Sequence, residues 1–233
     1  MDYIIFNGKL STDFNAYVYD MNVFDSADKN VEMTTVPGRN GKLILKTPTT
    51  FDNVTVEYKM LIQEEMQSNV NALKQFLLSQ DGYQRLEDTI DDTVYRKGLY
   101  KESFSVASKT PNSATFKLSF DCMPQRWLKS GEITTTLTAS GTISNPTLFE
   151  AKPLIRVYGK GKLEVGSETI TISKGATSYI DIDCDIQDCY EGSENRNGLV
   201  TLTDFPTLAS GDTGIKLGSG ITKVEITPRW WTV

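Results

Sequence analysis

Three groups of residues in this sequence have types that could do chemistry: the acidic run Glu87-Asp88-Thr89-Ile90-Asp91-Asp92, the cysteines Cys122, Cys184 and Cys189, and the tryptophans Trp230 and Trp231. What they lack is a histidine, because the chain has none. Imidazole is the commonest general base, the usual partner of Ser and Cys nucleophiles, and the commonest metal ligand. Only Lys-based and carboxylate-based chemistry remain open. The acidic run offers carboxylates for a calcium loop or an acid/base pair, yet it has neither the ligand periodicity nor the glycine of an EF-hand. A solvated turn is the simpler reading. The cysteines are odd in number and have no CxxC spacing, which points to free thiols in a reducing compartment. Cys184 and Cys189 could pair or hold a metal, but no histidine or second cysteine pair joins them. Trp230 and Trp231 could stack on a sugar ring, although neighbouring strand residues point to opposite faces, so at most one would face a ligand. No catalytic, cofactor-binding or metal-ligating residue is nominated. The expectation is a protein that is not an enzyme and uses no cofactor.

The elements that would position these residues are mostly strands. Val54 to Ile62 place apolar side chains on even positions, and Phe116, Leu118, Phe120 and Cys122 alternate with Thr115, Lys117, Ser119 and Asp121. Alternation marks half-buried strands. Shorter strands are expected at 154–158, 168–172, 179–182, 199–202 and 222–226, with Gly159-Lys160-Gly161 as a hairpin turn. One segment changes period. Met66, Val70, Leu73 and Leu77, widened by Phe76, make one face of a helix over 64–80, stopped by Gly82.

Pro37-Gly38-Arg39-Asn40-Gly41 fits neither the GxGxxG nor the GxxxxGK(S/T) phosphate pattern. Its flanks, 31–36 and 42–46, have strand character, and Asn-Gly suits a tight hairpin turn. The expectation is a projecting hairpin with Val36, Pro37, Gly38, Arg39, Asn40 and Gly41 at its end. Leu43, Ile44 and Leu45 form an apolar strip bordered by Arg39, Lys42 and Lys46. A two-stranded ribbon is marginal alone, so Val36 to Gly41, Leu43 and Leu45 are expected to form an inter-subunit arm.

At 233 residues, with 39% hydrophobic and 23% charged side chains, the chain can bury a core without disulfides or metal. Thirty acidic against 24 basic side chains leave a net charge of −6, which argues against a grip on nucleic-acid phosphates. No apolar run approaches the roughly 20 residues that span a bilayer, and the N-terminus lacks the marks of a signal peptide. The protein is expected to fold in a cytoplasm. Residues 1–128 read as a β/α domain, 129–147 as a Ser/Thr/Gly-rich linker, and 148–233 as an all-β domain. The last strand, 222–233, could belong to either domain. Pro124-Gln125-Arg126-Trp127 and Pro228-Arg229-Trp230-Trp231 echo each other near the two domain ends.

Phe6-Asn7-Gly8, Val36 to Gly41, Cys122 to Trp127, Asn145 to Gly159, Cys184 to Tyr190, Phe205-Pro206-Thr207-Leu208 and Pro228 to Trp231 resemble, in order and spacing, the distal tail protein (Dit) family of phages with long non-contractile tails. The resemblance covers nearly the whole chain. It implies a mainly β fold with one long helix: an N-terminal β-sandwich or split-barrel-like ring domain and a C-terminal galectin-like β-sandwich. It also implies a homo-hexameric ring at the tail tip of the virion, made in the cytoplasm of an infected bacterium. The ring would join the tail tube protein to tail-tip, tail-associated or receptor-binding baseplate proteins, without binding nucleic acid or membrane. No catalytic or ligand residue is inherited. The alternative reading is a carbohydrate-binding module that touches the host wall. A cell-wall hydrolase would need two carboxylates held across a cleft, and no pattern nominates them.

Overall fold

The computed structural model of the protein describes residues 1–46, 50–173 and 178–233. The chain divides into two compact units, Met1–Arg126 with Val233, and Trp127–Thr232. The fold is mainly β, with one α-helix among the described residues.

The first unit runs β1 (Ile4–Phe6), β2 (Lys9–Leu10), β3 (Ala16–Met21), β4 (Glu32–Thr35), β5 (Lys42–Lys46), β6 (Val54–Gln63), α1 (Met66–Leu78), β7 (Gln84–Asp88), β8 (Val94–Leu99), β9 (Val106–Lys109) and β10 (Ser113–Cys122). Its main sheet has the order β2-β1-β7-β8-β10-β6-β3, and β4 and β5 form a separate two-stranded ribbon. The centre is the antiparallel β6–β10 ladder, paired without a break from Val54↔Cys122 to Gln63↔Ser113. Period-2 alternation turns Val56, Tyr58, Met60 and Ile62 of β6 and Phe116, Leu118 and Phe120 of β10 into one core, each at most 2% exposed. Helix α1 covers that core with Leu73 and Leu77, on the face that helical spacing defines. Phe76 packs edge-on to Phe6 and stacks on Phe14.

The boundary falls within β11 (Arg126–Leu128), and the second unit continues with β12 (Thr135–Leu137), β13 (Gly141–Asn145), β14 (Leu154–Gly159), β15 (Gly161–Val165), β16 (Glu168–Ile172), β17 (Ile180–Asp183), β18 (Asp188–Glu191), β19 (Glu194–Asn195), β20 (Val200–Thr201), β21 (Gly211–Leu217), β22 (Ile221–Thr227) and β23 (Trp231–Thr232). Two sheets, β12-β22-β14-β17-β18-β19 and β13-β21-β15-β16-β20, face each other as a sandwich. Ile155, Val157, Ile182, Val224 and Ile226 from the first meet Leu163, Val165, Ile170 and Ile215 from the second in one buried cluster.

Two readings of the sequence need correction here, and the strand placement that the sequence left open is decided. Residues 129–147 are not a linker, because β12 pairs with β22 and β13 pairs with β21 inside the sandwich. Their Thr, Ser and Gly content reflects exposed outer faces, while Ile143 and Asn145 point inward. Residues 222–227 lie in β22, between β14 and β12 of the second unit, and Val233 alone groups with the first. Gly159-Lys160-Gly161 is not a hairpin turn either, since it carries the chain from β14 in one sheet to β15 in the other. Gly218-Ser219-Gly220 makes the reverse crossing, and the two corners touch backbone to backbone. Lys160 N–H donates to Gly220 O at 3.0 Å and Gly218 N–H to Lys162 O at 2.8 Å. Gly159 sits at φ +104°, and a Cβ there would collide with the carbonyl of Gly220. The echoing motifs also meet: Leu128 N–H donates to Trp230 O and Arg229 N–H to Gly131 O.

All three tryptophans of the chain, Trp127, Trp230 and Trp231, lie in the second unit, so their fluorescence reports its unfolding. Gly159→Ala is expected to destabilise that unit by about 1–3 kcal/mol, read as a lower denaturation midpoint in tryptophan emission. An unchanged midpoint would show that the corners do not need this contact.

Candidate functional site

The acidic run is a structural turn between β7 and β8. Asp88 Oδ1 accepts the N–H groups of Ile90 and Asp91 at 3.0 and 3.1 Å, and its Oδ2 accepts the Tyr58 hydroxyl at 3.1 Å. Asp91 accepts the Thr93 hydroxyl and the Arg126 guanidinium, each at 2.5 Å. The Thr93 hydroxyl, with help from Arg126, holds the Asp91 carboxyl below its ordinary pKa against the opposing effect of partial burial. Among the described residues no three His, Cys, Asp or Glu side chains gather as metal ligands would. All three cysteines are free and buried. Burial pushes the Cys122 and Cys184 thiols up to about 12 and that of Cys189 up to about 11. Protonated, enclosed thiols are poor nucleophiles.

The β4–β5 ribbon brings three exposed large apolar side chains together. Its register pairs Met33 with Ile44, Thr34 with Leu43 and Thr35 with Lys42. The reversal is a six-residue loop, not a two-residue Asn-Gly turn. Arg39 N–H donates to Val36 O at 3.2 Å, with Gly38 at φ +79°. That is a turn with Pro at its second and a left-handed Gly at its third position, where each residue's backbone preference fits. Gly41, at φ +80°, then leads into β5. Met33 is 51% exposed, and Ile44 and Leu45 are both 56% exposed. The register shifts between Glu32 and Met33, which leaves Leu45 unpaired at a bulge next to Ile44, and both side chains meet solvent. Of the residues the sequence nominated, Pro37 to Gly41 and Leu45 are exposed, while Val36 and Leu43 are half-buried. Met33, which the sequence reading left out, adds to the apolar strip.

The ribbon joins the unit through a short stem. Asn30 N–H donates to Thr50 O, Asp52 N–H donates to Asp28 O, and Lys29 bridges Phe51. Phe51 packs on the core, and Val23 and Ala27 just before the stem are buried in it. The ribbon therefore carries three exposed apolar side chains, Met33, Ile44 and Leu45, on a base hydrogen-bonded to its unit.

No protein-family model matches this chain, and no curated protein sequence does. Solved structures do. The Dit (gp 19.1) protein of phage SPP1, described as a paradigm of the hub adsorption apparatus in phages that infect Gram-positive bacteria, matches with a TM-score of 0.79 at 16% identity over 100% of both chains. The phage P2 baseplate in its activated conformation matches with a TM-score of 0.54, at 13% identity with calcium and 12% with strontium, over 97% of each chain. The chain has the Dit fold.

In this Dit fold the sandwich carries its polar chemistry on the outer face of the β14–β17–β22 sheet, where it is already committed. Arg156 donates twice to Asp181, at 2.7 and 2.9 Å, and Arg229 donates twice to Asp183, at 2.6 and 2.8 Å. Glu225 accepts Tyr158 Oη and Lys223 Nζ. Trp230 is buried, and Trp231 stacks on Phe149 at 4.5 Å while its Nε1 donates to Glu150 O. Burial alone would raise the Asp183 pKa, but the Arg229 fork, with the N–H groups of Asp185 and Ile186, outweighs it and holds the carboxyl below its ordinary value.

A depressed native pKa stabilises the fold above the unfolded value, near 3.9, and that contribution is lost as pH falls through the native value. Asp183→Asn is expected to cost about 2 kcal/mol at neutral pH and to flatten the loss of stability below about pH 4. Denaturation followed by tryptophan emission across that range checks it. Equal acid sensitivity in the variant would mean that other carboxylates govern the response.

Proposed function

We propose that this chain is the distal tail subunit of a phage or prophage: a non-enzymatic structural protein that closes into a ring, of six copies, at the end of the tail tube. The ring would join the tube to the tail-tip or baseplate proteins that meet the host, and the protein would be a virion component. The observation that carries this reading is the match to SPP1 Dit over the full length of both chains. Matching both units in one chain is more specific than sharing a common sandwich. The phage baseplate matches support the same setting. Among the described residues no helix is long and apolar enough to cross a membrane.

Physical argument links the arm to assembly. Met33, Ile44 and Leu45 are each little more than half exposed, and covering what remains is worth roughly half of the 1.5–3 kcal/mol that full burial of such a side chain gives. In a ring every subunit presents the same surface to its neighbour head-to-tail, and rotation closes the set. A second copy of this chain is therefore the natural cover. Six copies multiply a net charge of −6, a repulsion that salt screens over about 8 Å at physiological strength.

Two outcomes follow for sedimentation of the purified protein. The native chain should form a closed species of six copies, more completely as salt rises from low to moderate. The double variant Ile44→Asp with Leu45→Asp should sediment as a folded monomer. Intact rings from that variant would remove the arm from the interface, and a monomer under every condition would remove self-assembly from the reading.

A further inference from the structure

Arg96, on β8, is only 6% exposed, yet it is not paired with a carboxylate at its guanidinium ends. Its Nη2 donates to the carbonyls of Val23 and Asp25, both at 3.3 Å. Its Nη1 is buried and has no hydrogen-bond partner among the described residues. A buried charged donor left unsatisfied is costly, so the site calls for one more acceptor. Beside Arg96 lies a small cavity lined by Val23, Tyr58, Asp88, Asp91 and Arg126, with a free volume of about 10 Å³. That is the space one water needs. The carboxylates on its wall make an anion the poorer occupant. Asp88 and Asp91 are already engaged by Tyr58 and Arg126, but each carboxylate oxygen can accept a further bond.

The two carbonyls that Arg96 holds belong to the loop leading into the arm. Asn22 fixes the start of that loop to β6, by N–H to Glu57 O at 3.2 Å and by accepting Glu57 N–H at 2.6 Å. Beyond Asp25 the chain passes through buried Ala27 directly into the stem at Asp28. Arg96 therefore clamps the last turn of chain before the ribbon leaves the unit. The strand that carries it is tied to the core ladder, where Gly98 pairs with Cys122.

We propose that Arg96 and one buried water in this cavity form the clasp that sets the direction of the β4–β5 arm. The water accepts from Nη1 and donates toward the Asp88 and Asp91 carboxylates, completing the guanidinium's bonds. The guanidinium then holds Val23 and Asp25 against the sheet and orders the stem. Arg96 is a positioning residue: it acts on assembly only through the arm, and that role rests on the function proposed above. The clasp itself does not, and it is measurable on the monomer.

The test is hydrogen–deuterium exchange on the full chain, at a concentration below self-association. Arg96→Met, similar in length but without donors, should raise exchange of amides in 22–30 and 50–52 by about tenfold or more, while β6 and β10 amides stay protected. Should that variant fail to fold, Arg96→Gln, too short to reach both carbonyls, carries the same expectation. Unchanged exchange at 22–30 in a folded variant overturns the clasp. A high-resolution crystal structure of the native chain should show a water within hydrogen-bond distance of Nη1, and a direct protein partner there instead overturns the water. A native chain that never forms rings but loses stem protection on Arg96→Met would keep the clasp and refute the ring.

Discussion

The unbroken pairing of β6 with β10 is the interaction on which the first unit depends. It aligns two alternating strands so that their inward side chains form one apolar layer, and nearly everything attached to the unit is referenced to it. Helix α1 lies on that layer. β8 is held at its far end by Cys122, and it carries Arg96 to the loop before the arm. Asn22 ties the same loop to Glu57 on β6. The β4–β5 ribbon lies outside the main sheet, with Met33, Ile44 and Leu45 exposed. Its base is hydrogen-bonded to the unit through Asn30 with Thr50 and Asp52 with Asp28.

The second unit solves a different problem. Its strands change sheets at the Gly159–Gly161 and Gly218–Gly220 corners, where the backbones approach too closely for a side chain. On its outer polar face Arg156 pairs with Asp181 across β14 and β17, and Arg229, just after β22, pairs with Asp183. Those ion pairs tie neighbouring strands of the sandwich together. A shared architecture does not itself assign function.

Much of this was legible in the sequence because it rests on periodicity. The alternation of Val54 to Ile62 and of Phe116 to Cys122, and the helical spacing of Met66, Val70, Leu73 and Leu77, each mark an element the structure contains. What was not legible depends on pairs distant in sequence. Thr135–Leu137 and Gly141–Asn145 look like linker because short polar side chains suit an exposed strand face as well as a loop. Gly159-Lys160-Gly161 looks like a hairpin because local composition cannot distinguish a turn within a sheet from a corner between sheets. Arg96 sits in an alternating strand where an arginine reads as solvent-facing, and only the loop folded over it shows otherwise. In the arm, Pro37-Gly38 rather than Asn40-Gly41 makes the turn, and the more exposed apolar side chains are Met33, Ile44 and Leu45 rather than Leu43. A TM-score of 0.79 at 16% identity shows one fold shared by two chains that differ at most positions.

The proposed ring requires the exposed apolar side chains of the β4–β5 ribbon to meet a second copy of this chain. A photoreactive side chain placed at position 44 or 45 tests this directly, because it marks whatever lies against the ribbon in the assembled protein. The account predicts cross-links between the arm of one copy and another copy of the same chain, concentrated where that copy's apolar surface is exposed. Cross-links confined to the arm's own subunit, or none in protein that has nevertheless assembled, would contradict it.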